Sequence, residues 1–239
     1  MRPKPIIAID GPAGAGKSSV ARELARVLGF ALVDTGAMYR TLALAAHEAG
    51  IAFTDGDAIA ELGAKLLADG SLSFTHEASR LRSDGEANGI RVLLRGEDVS
   101  KRIRTPEVAL GASTVSKFPP VRNVLLGLQR KVAENGGVVL EGRDIGTVVC
   151  PDAEVKFFLT ARPEIRAQRR FEELQEKGEV TTTLAQTLQE VIARDEQDKN
   201  RPVAPLRPAD DAVIIDSSDW SLDETIARML EIAGRAHKA

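Results

Sequence analysis

The chain has 239 residues, 43% of them apolar, and a formal net charge of −3 at pH 7. That length suits one α/β domain carrying an insertion. The charge balance supplies no global basic field for nucleic acid or an anionic membrane, and no apolar run approaches a membrane span. The single cysteine, Cys150, excludes an internal disulfide and favours a reducing compartment. The opening MRPKPIIAID lacks a signal-peptide core, so the cytoplasm is the expected location.

Residues 5–10 (PIIAID) are short, β-branched and followed by glycine, the pattern of a buried strand. Residues 18–28 read as a helix with Val20, Leu24, Val27 and Leu28 on one face, 31–34 as a second strand, and about 37–49 as another helix. Strand, helix, strand in this order predicts a parallel sheet with right-handed crossovers. The pattern then changes. Residues 71–74, 77–83 and 90–94 read as short strands separated by turns at Asp84-Gly85 and Asn88-Gly89, a small antiparallel sheet inside an insertion. Helices are expected near 105–117 and 119–135. Residues 138–141 (VVLE) and 155–159 (VKFFL) resume the buried-strand pattern, 162–179 is charged but helical in pattern, and a helix covers about 183–200. A last strand at 212–216 and a closing helix at 222–235 complete a discontinuous core of 1–36 plus 137–239.

Gly11-Pro12-Ala13-Gly14-Ala15-Gly16-Lys17-Ser18 fits the pattern G-x-x-x-x-G-K-S/T, placed as its chemistry requires between a strand and a helix. The glycines let backbone N–H groups curl inward around phosphate oxygens at a helix N-terminus. Lys17 is expected to bridge the β- and γ-phosphates, and the Ser18 hydroxyl to ligate Mg²⁺. A GTPase would show N-K-x-D, which is absent. A motor ATPase would show an apolar strand ending in Asp or Asp-Glu, whereas 138–141 runs into Glu-Gly-Arg-Asp. Small kinases, in which a second substrate supplies the attacking oxygen, fit better.

On the helix at 183–200, Leu184, Leu188 and Val191 form an apolar stripe whose spacing continues into Arg194, Asp198 and Arg201. Two readings stay open: a helix leaving the core to border a wet cleft, or a solvated face with ion pairs one turn apart. The same holds for Arg162, Arg166, Arg169 and Arg170, which form either a solvated face or a mobile flap that neutralises a transferring phosphoryl group. Asp34-Thr35-Gly36-Ala37-Met38-Tyr39-Arg40 follows the second strand, at the strand end where ligands bind in open α/β sheets. Thr35 can cap the next helix or, with Arg40, hold a phosphate. His47, His76 and His237 belong to no motif and read as incidental.

Taken together, DGPAGAGKS, DTGAMYR, GEDVS with IRTPEV, EGRDIGTVV, RRFEELQEKG and RDEQDKNRPVAPL resemble bacterial cytidylate kinases, of the nucleoside monophosphate kinase group. The resemblance spans residues 9 to about 216. It implies an α/β P-loop fold with a parallel sheet flanked by helices, an inserted monophosphate-binding domain at 37–136 with a small antiparallel sheet, and a short helical lid at about 163–182. It implies transfer of a phosphoryl group from Mg-ATP to CMP or dCMP. ATP would be held by Gly11, Pro12, Ala13, Gly14, Ala15, Gly16, Lys17, Ser18, Ser19, Arg169 and Arg170. Thr35, Arg40, Arg143 and Arg201 would surround the acceptor phosphate, Arg194 would lie near sugar and phosphates, and Asp198 would take the sugar hydroxyls. Ser113, Arg122 and Asp144 would face the cytosine. Lys17, Arg143, Arg170 and Arg194 would carry catalysis. The expected unit is a monomer with no nucleic-acid or membrane partner. The chain departs from relatives at Thr35, where Ser is frequent, and at Gln197 and Lys199, where some carry Arg. Uridylate, adenylate or shikimate kinases on the same fold, and a nucleotide-binding regulatory module, are the rival readings.

Overall fold

The computed structural model describes residues 2–75, 91–176, 178 and 181–238. Five strands form a parallel sheet: β1 (Ile6–Asp10), β2 (Ala31–Asp34), β6 (Val138–Gly142), β7 (Val155–Thr160) and β8 (Val213–Asp216), in the order β2-β6-β1-β7-β8. Helices cover both faces, which is why the central strands are continuous apolar runs rather than alternating ones. Ile7, Ile9, Phe157 and Leu159 pack on Val20 and Leu24 of α1 (Lys17–Leu28) and Met229 of α8 (Leu222–Lys238). Ile6, Ala8, Val33 and Leu140 face the other way, onto Met38 and Leu42 of α2 (Thr35–Glu48).

The pairing register aligns the strand ends. Ile9 and Asp34 both stand beside Glu141, and Asp10 beside Gly142 and Phe158. Three acidic residues, Asp10, Asp34 and Glu141, therefore occupy positions along the carboxyl edge of the sheet, where the phosphate-binding loop begins.

The second apolar cluster runs without a break from the sheet into the insertion, through α3 (Gly56–Ala68), α4 (Pro106–Val115) and α5 (Pro119–Ala133). Helix α3 lies outside the elements expected from the sequence. Its signals are the Asp55 side chain accepting from the Ala58 N–H, and Ile59, Gly63 and Leu66 buried at helical spacing. The small antiparallel sheet joins β3 (Leu72–Thr75), β4 (Arg91–Leu94) and β5 (Glu97–Asp98). β5 was likewise unexpected; it turns back through Arg95 and Gly96, both at positive φ (52° and 81°), a two-residue hairpin geometry. The strand expected at 77–83 and the turns at Asp84-Gly85 and Asn88-Gly89 lie outside the described residues, as does His76.

After β7, α6 (Pro163–Glu176) leads through Gly178, at φ 81°, toward α7 (Leu184–Lys199). Helix α7 is nucleated by a reciprocal cap between Thr183 and Gln186. Its buried stripe differs from the expected one. Leu184 is exposed, and the side chains turned inward are Thr187, Val191, Asp195 and Asp198. The face does become polar along its length, but the stripe is rotated so that Asp195 rather than Arg194 enters the interior, where it meets a buried arginine of α6.

Candidate active site

Between β1 and α1 the chain makes a turn that only glycine permits at its tightest points. Gly11 has φ 149°, and a Cβ there would lie 1.9 Å from the Leu159 carbonyl oxygen; at Gly14 it would lie 2.9 Å from that of Arg166. The loop thus rests directly on β7 and α6. Gly16, left-handed at φ 88°, opens α1. Lys17 folds back across the loop, its Nζ donating to the Pro12 carbonyl at 2.7 Å. Burial lowers its pKa well below the usual value, as does Arg143, while Glu141 opposes them.

The Ser18 hydroxyl donates to Glu141 Oε2 at 2.8 Å. Burial pushes the Glu141 pKa up to about 7, Asp34 adds to this, and Lys17 opposes it. A hydroxyl beside an under-compensated buried carboxylate is an oxygen donor set suited to Mg²⁺, which keeps waters and shares nucleotide phosphates. Among the described residues no three carboxylates, histidines or cysteines gather as a self-sufficient metal site. Glu141 was not expected in the site, although it lies on the strand that pairs with the loop-bearing strand.

Opposite the loop stand the arginines. Arg40 donates to Asp34 Oδ2 (2.6 Å), and Asp34 also caps α2 by accepting from the Ala37 N–H. Thr35 is therefore not the cap; its hydroxyl donates to the Glu141 carbonyl at 2.7 Å, and Gly142 leaves room for it. Arg143 donates through Nε to Asp198 Oδ2 at 2.8 Å, and Arg201 lies on the far side of the same carboxylate. Burial acts against the Asp198 carboxylate, yet Arg143, Arg201 and Arg194 outweigh it and hold its pKa low. Arg194 is water-exposed but crowded by the cleft walls. That crowding and then its neighbours Arg143, Arg40 and Arg170 bring its pKa down to about 10, against the pull of Asp198. Two buried guanidinium nitrogens, Arg40 Nε and Arg201 Nη2, have no partner among the described residues. Such donors cost about 1–3 kcal/mol each when left unpaired.

Beside this cluster, α4, α5 and the turn after β6 bring Ser113, Arg122 and Asp144 together. Arg122 and Asp144 form a buried ion pair, and Arg122 also donates to the Ser116 carbonyl at 3.4 Å and lies 5.8 Å over the Tyr39 ring. Arg143, next to Asp144 in the chain, is committed to Asp198 instead. Burial raises the Asp144 pKa, opposed by Arg122 and Arg201. Gln197 of α7 donates to Ser113 Oγ at 2.7 Å. The turn carrying Asp144 is held from below by Asp10, whose carboxylate accepts from the N–H groups of Ile145 (2.8 Å) and Gly146 (2.7 Å). Desolvation raises the Asp10 pKa to about 6 despite those two hydrogen bonds. Tyr39, Gln197 and Asp10 were not singled out as site residues; each acts across long sequence separations.

The arginines at 162, 166, 169 and 170, the first just before α6 and the others on it, do not act as one face. Arg162 pairs with Asp219 at the surface. Arg166 is buried, bidentate to Asp195 and bonded to the Ala13 carbonyl, tying both flanking helices to the phosphate loop. Arg169 donates to Ser217 Oγ and the Ser217 carbonyl. Arg170 pairs with Glu173 and lies near enough to Arg194 to lower its pKa. Ser19 is exposed on the first turn of α1. Residues 177, 179 and 180, within the lid expected at about 163–182, lie outside the described residues.

A profile of the cytidylate kinase family matches residues 7–235. A cytidylate kinase of Syntrophotalea carbinolica is 52% identical over 227 residues, covering 95% of this chain and 91% of that protein. A cytidylate kinase of Geobacter sp. (strain M21) is 52% identical over 224 residues, covering 94% and 90%. An uncharacterized protein from Eubacterium ventriosum, 14% identical, superposes with a TM-score of 0.50 over 97% of this chain and 99% of that one, a likeness of fold.

Proposed function

The chain belongs to the cytidylate kinase family, and from that premise we propose that it moves the γ-phosphoryl group of ATP onto CMP or dCMP, yielding ADP and CDP or dCDP. The observation that carries this reading is the pair of buried donors without a partner among the described residues, Arg40 Nε and Arg201 Nη2, set among Arg143 and Arg194 near Lys17. Two carboxylates, Asp34 and Asp198, offset only part of the charge of four guanidiniums, and a nucleoside monophosphate facing a triphosphate supplies the remaining anions.

The attacking group is an oxygen of the acceptor phosphate, already ionised at neutral pH, so no general base is required. Catalysis then rests on alignment and charge. Thr35, Arg40, Arg143 and Arg201 orient the acceptor phosphate, while Asp198, held by Arg143, takes the sugar hydroxyls. Lys17, with Arg194 and Arg170 from the flanking helices, stabilises charge on the transferring group. Ser18 and Glu141 are the residues that would hold Mg²⁺, which when bound with ATP neutralises the β- and γ-oxygens. Ser19, on the first turn after the phosphate loop, and Arg169, which leaves Ser217 to do so, complete the ATP contacts, and closure of the lid excludes water. ATP and CMP or dCMP are the partners, a single chain holds the whole site, and the cytoplasm is the place of action. No helix among the described residues is long and apolar enough to cross a membrane.

An ADP-release assay with Mg-ATP and each of CMP, dCMP, UMP, AMP and GMP tests the reading. CMP and dCMP should give the highest kcat/KM; a clear preference for any other acceptor would contradict it.

A further inference from the structure

Gln197 sits on α7 next to Asp198, yet its side chain reaches away from the arginines and into the insertion. Its Nε2 donates to the Ser113 hydroxyl at 2.7 Å and approaches the Ser113 carbonyl at 3.4 Å. A carbonyl can only accept, so the amide must present its NH₂ end to both oxygens. The Ser113 hydroxyl consequently accepts from Gln197, and its one proton is turned elsewhere. Among the described residues no acceptor takes that proton. Ser113 also belongs to a short hydrogen-bonded chain: its carbonyl accepts from Ser116 Oγ at 3.0 Å, and the Ser116 carbonyl accepts from Arg122, the partner of Asp144.

We propose that Gln197 is a specificity-positioning residue that locks the Ser113 hydroxyl as a donor toward the acceptor edge of the base. The inference rests on the CMP-kinase reading above and deepens it. A hydroxyl free to rotate serves a donor or an acceptor equally. A hydroxyl whose oxygen is engaged by an amide NH₂ offers its proton first. Uracil shares the O2 acceptor but carries N3–H where cytosine presents the bare N3 acceptor, so a donor fixed on N3 favours cytosine. The contact also bridges the helix that carries Asp198 and the insertion that carries Ser113, so base and sugar recognition are set by one strut.

Two variants separate polarity from packing. Gln197→Glu keeps the size but presents only acceptors, so it draws the Ser113 proton to itself and turns the hydroxyl from donor to acceptor. Gln197→Ala releases the hydroxyl to rotate. A half-buried hydrogen bond of this kind is worth about three- to tenfold in affinity. The ratio of kcat/KM for CMP to that for UMP should therefore fall about three- to tenfold in Gln197→Glu, through KM for CMP with kcat little changed, and less in Gln197→Ala. Calorimetric titration of CMP in the absence of ATP should show the same loss, and thermal unfolding should show both variants folded. An unchanged ratio, or equal loss on both pyrimidines, in a wild-type background that prefers CMP would overturn the role of Gln197 alone. A wild-type enzyme without preference for CMP would overturn the parent reading, and this inference with it.

Discussion

The buried pair between Arg122 and Asp144 makes the sharpest prediction. Asp144→Ala leaves Arg122 with one weak acceptor, the Ser116 carbonyl at 3.4 Å, and the face of Tyr39. Both paired side chains are only 9% exposed. Stranding one charge of a buried pair costs about 3–5 kcal/mol. The low end is expected here, because burial already raises the Asp144 pKa, so the carboxylate carries an uncompensated cost that its removal relieves. A domain of ordinary stability, about 5–15 kcal/mol, survives a loss near 3 kcal/mol and can be assayed. Adding Arg122→Met removes the stranded charge, so the double variant should regain most of the lost stability in urea denaturation without regaining activity on CMP. On the functional side, Asp144 is expected to accept from the cytosine amino group, a contact uracil cannot make. The CMP-to-UMP ratio of kcat/KM should fall roughly ten- to a hundredfold in Asp144→Ala, chiefly by damage to CMP use. Equal loss on both pyrimidines would mean that the pair only braces the turn after β6. Failure of the double variant to recover stability would refute the stranded-charge argument.

Lys17→Ala should lower kcat about 10²- to 10³-fold while changing KM for CMP little, since the lysine meets charge that develops during transfer; kcat within a few-fold of wild type in steady-state assays would show it misassigned. Asp10 has a folded pKa of about 6 against an ordinary 3.8. The folded state therefore holds a proton that the unfolded chain has released, and Asp10 contributes stability below pH ~4 that is lost as pH rises toward ~6, about 3 kcal/mol in full. In Asp10→Asn that part of the pH dependence of urea unfolding should vanish; an unaltered slope would refute the shift. Backbone amides of α6, residues 163–176, should gain protection from hydrogen exchange when a bisubstrate analogue joining the two nucleotides binds. Equal protection with and without it would remove lid closure from the mechanism.

What could be read along the chain was local. The phosphate loop is legible because its chemistry sits within eight consecutive residues between a strand and a helix. The parallel sheet follows from the same alternation. The partner of Ser18 was not legible, because Glu141 arrives from 123 positions away through strand pairing that no local pattern specifies. Arg122 and Asp144 were both expected to face a base, but that they would pair with each other depends on how α5 meets the turn after β6. On α7 the apolar spacing identified the helix and its change of character, yet a rotation of one residue sent Asp195 inward to Arg166. The arginine run at the start of α6, from Arg162 just before it to Arg170, illustrates the same limit. Four similar side chains go to four different partners, Asp219, Asp195, Ser217 and Glu173, and only tertiary packing distinguishes them. Helix α3 and the Arg95-Gly96 turn were readable in principle, from the Asp55 cap and from a glycine between polar residues after a strand.

The central claim, direct transfer from ATP to a cytidine monophosphate, is tested most directly by a single turnover with ATP labelled in its γ-phosphate. With CMP present, the label should appear in the β-phosphate of CDP, with little inorganic phosphate, as the proposed alignment of the acceptor by the arginines and closure of the lid require. Label released mainly as inorganic phosphate, at a rate indifferent to CMP, would contradict the account.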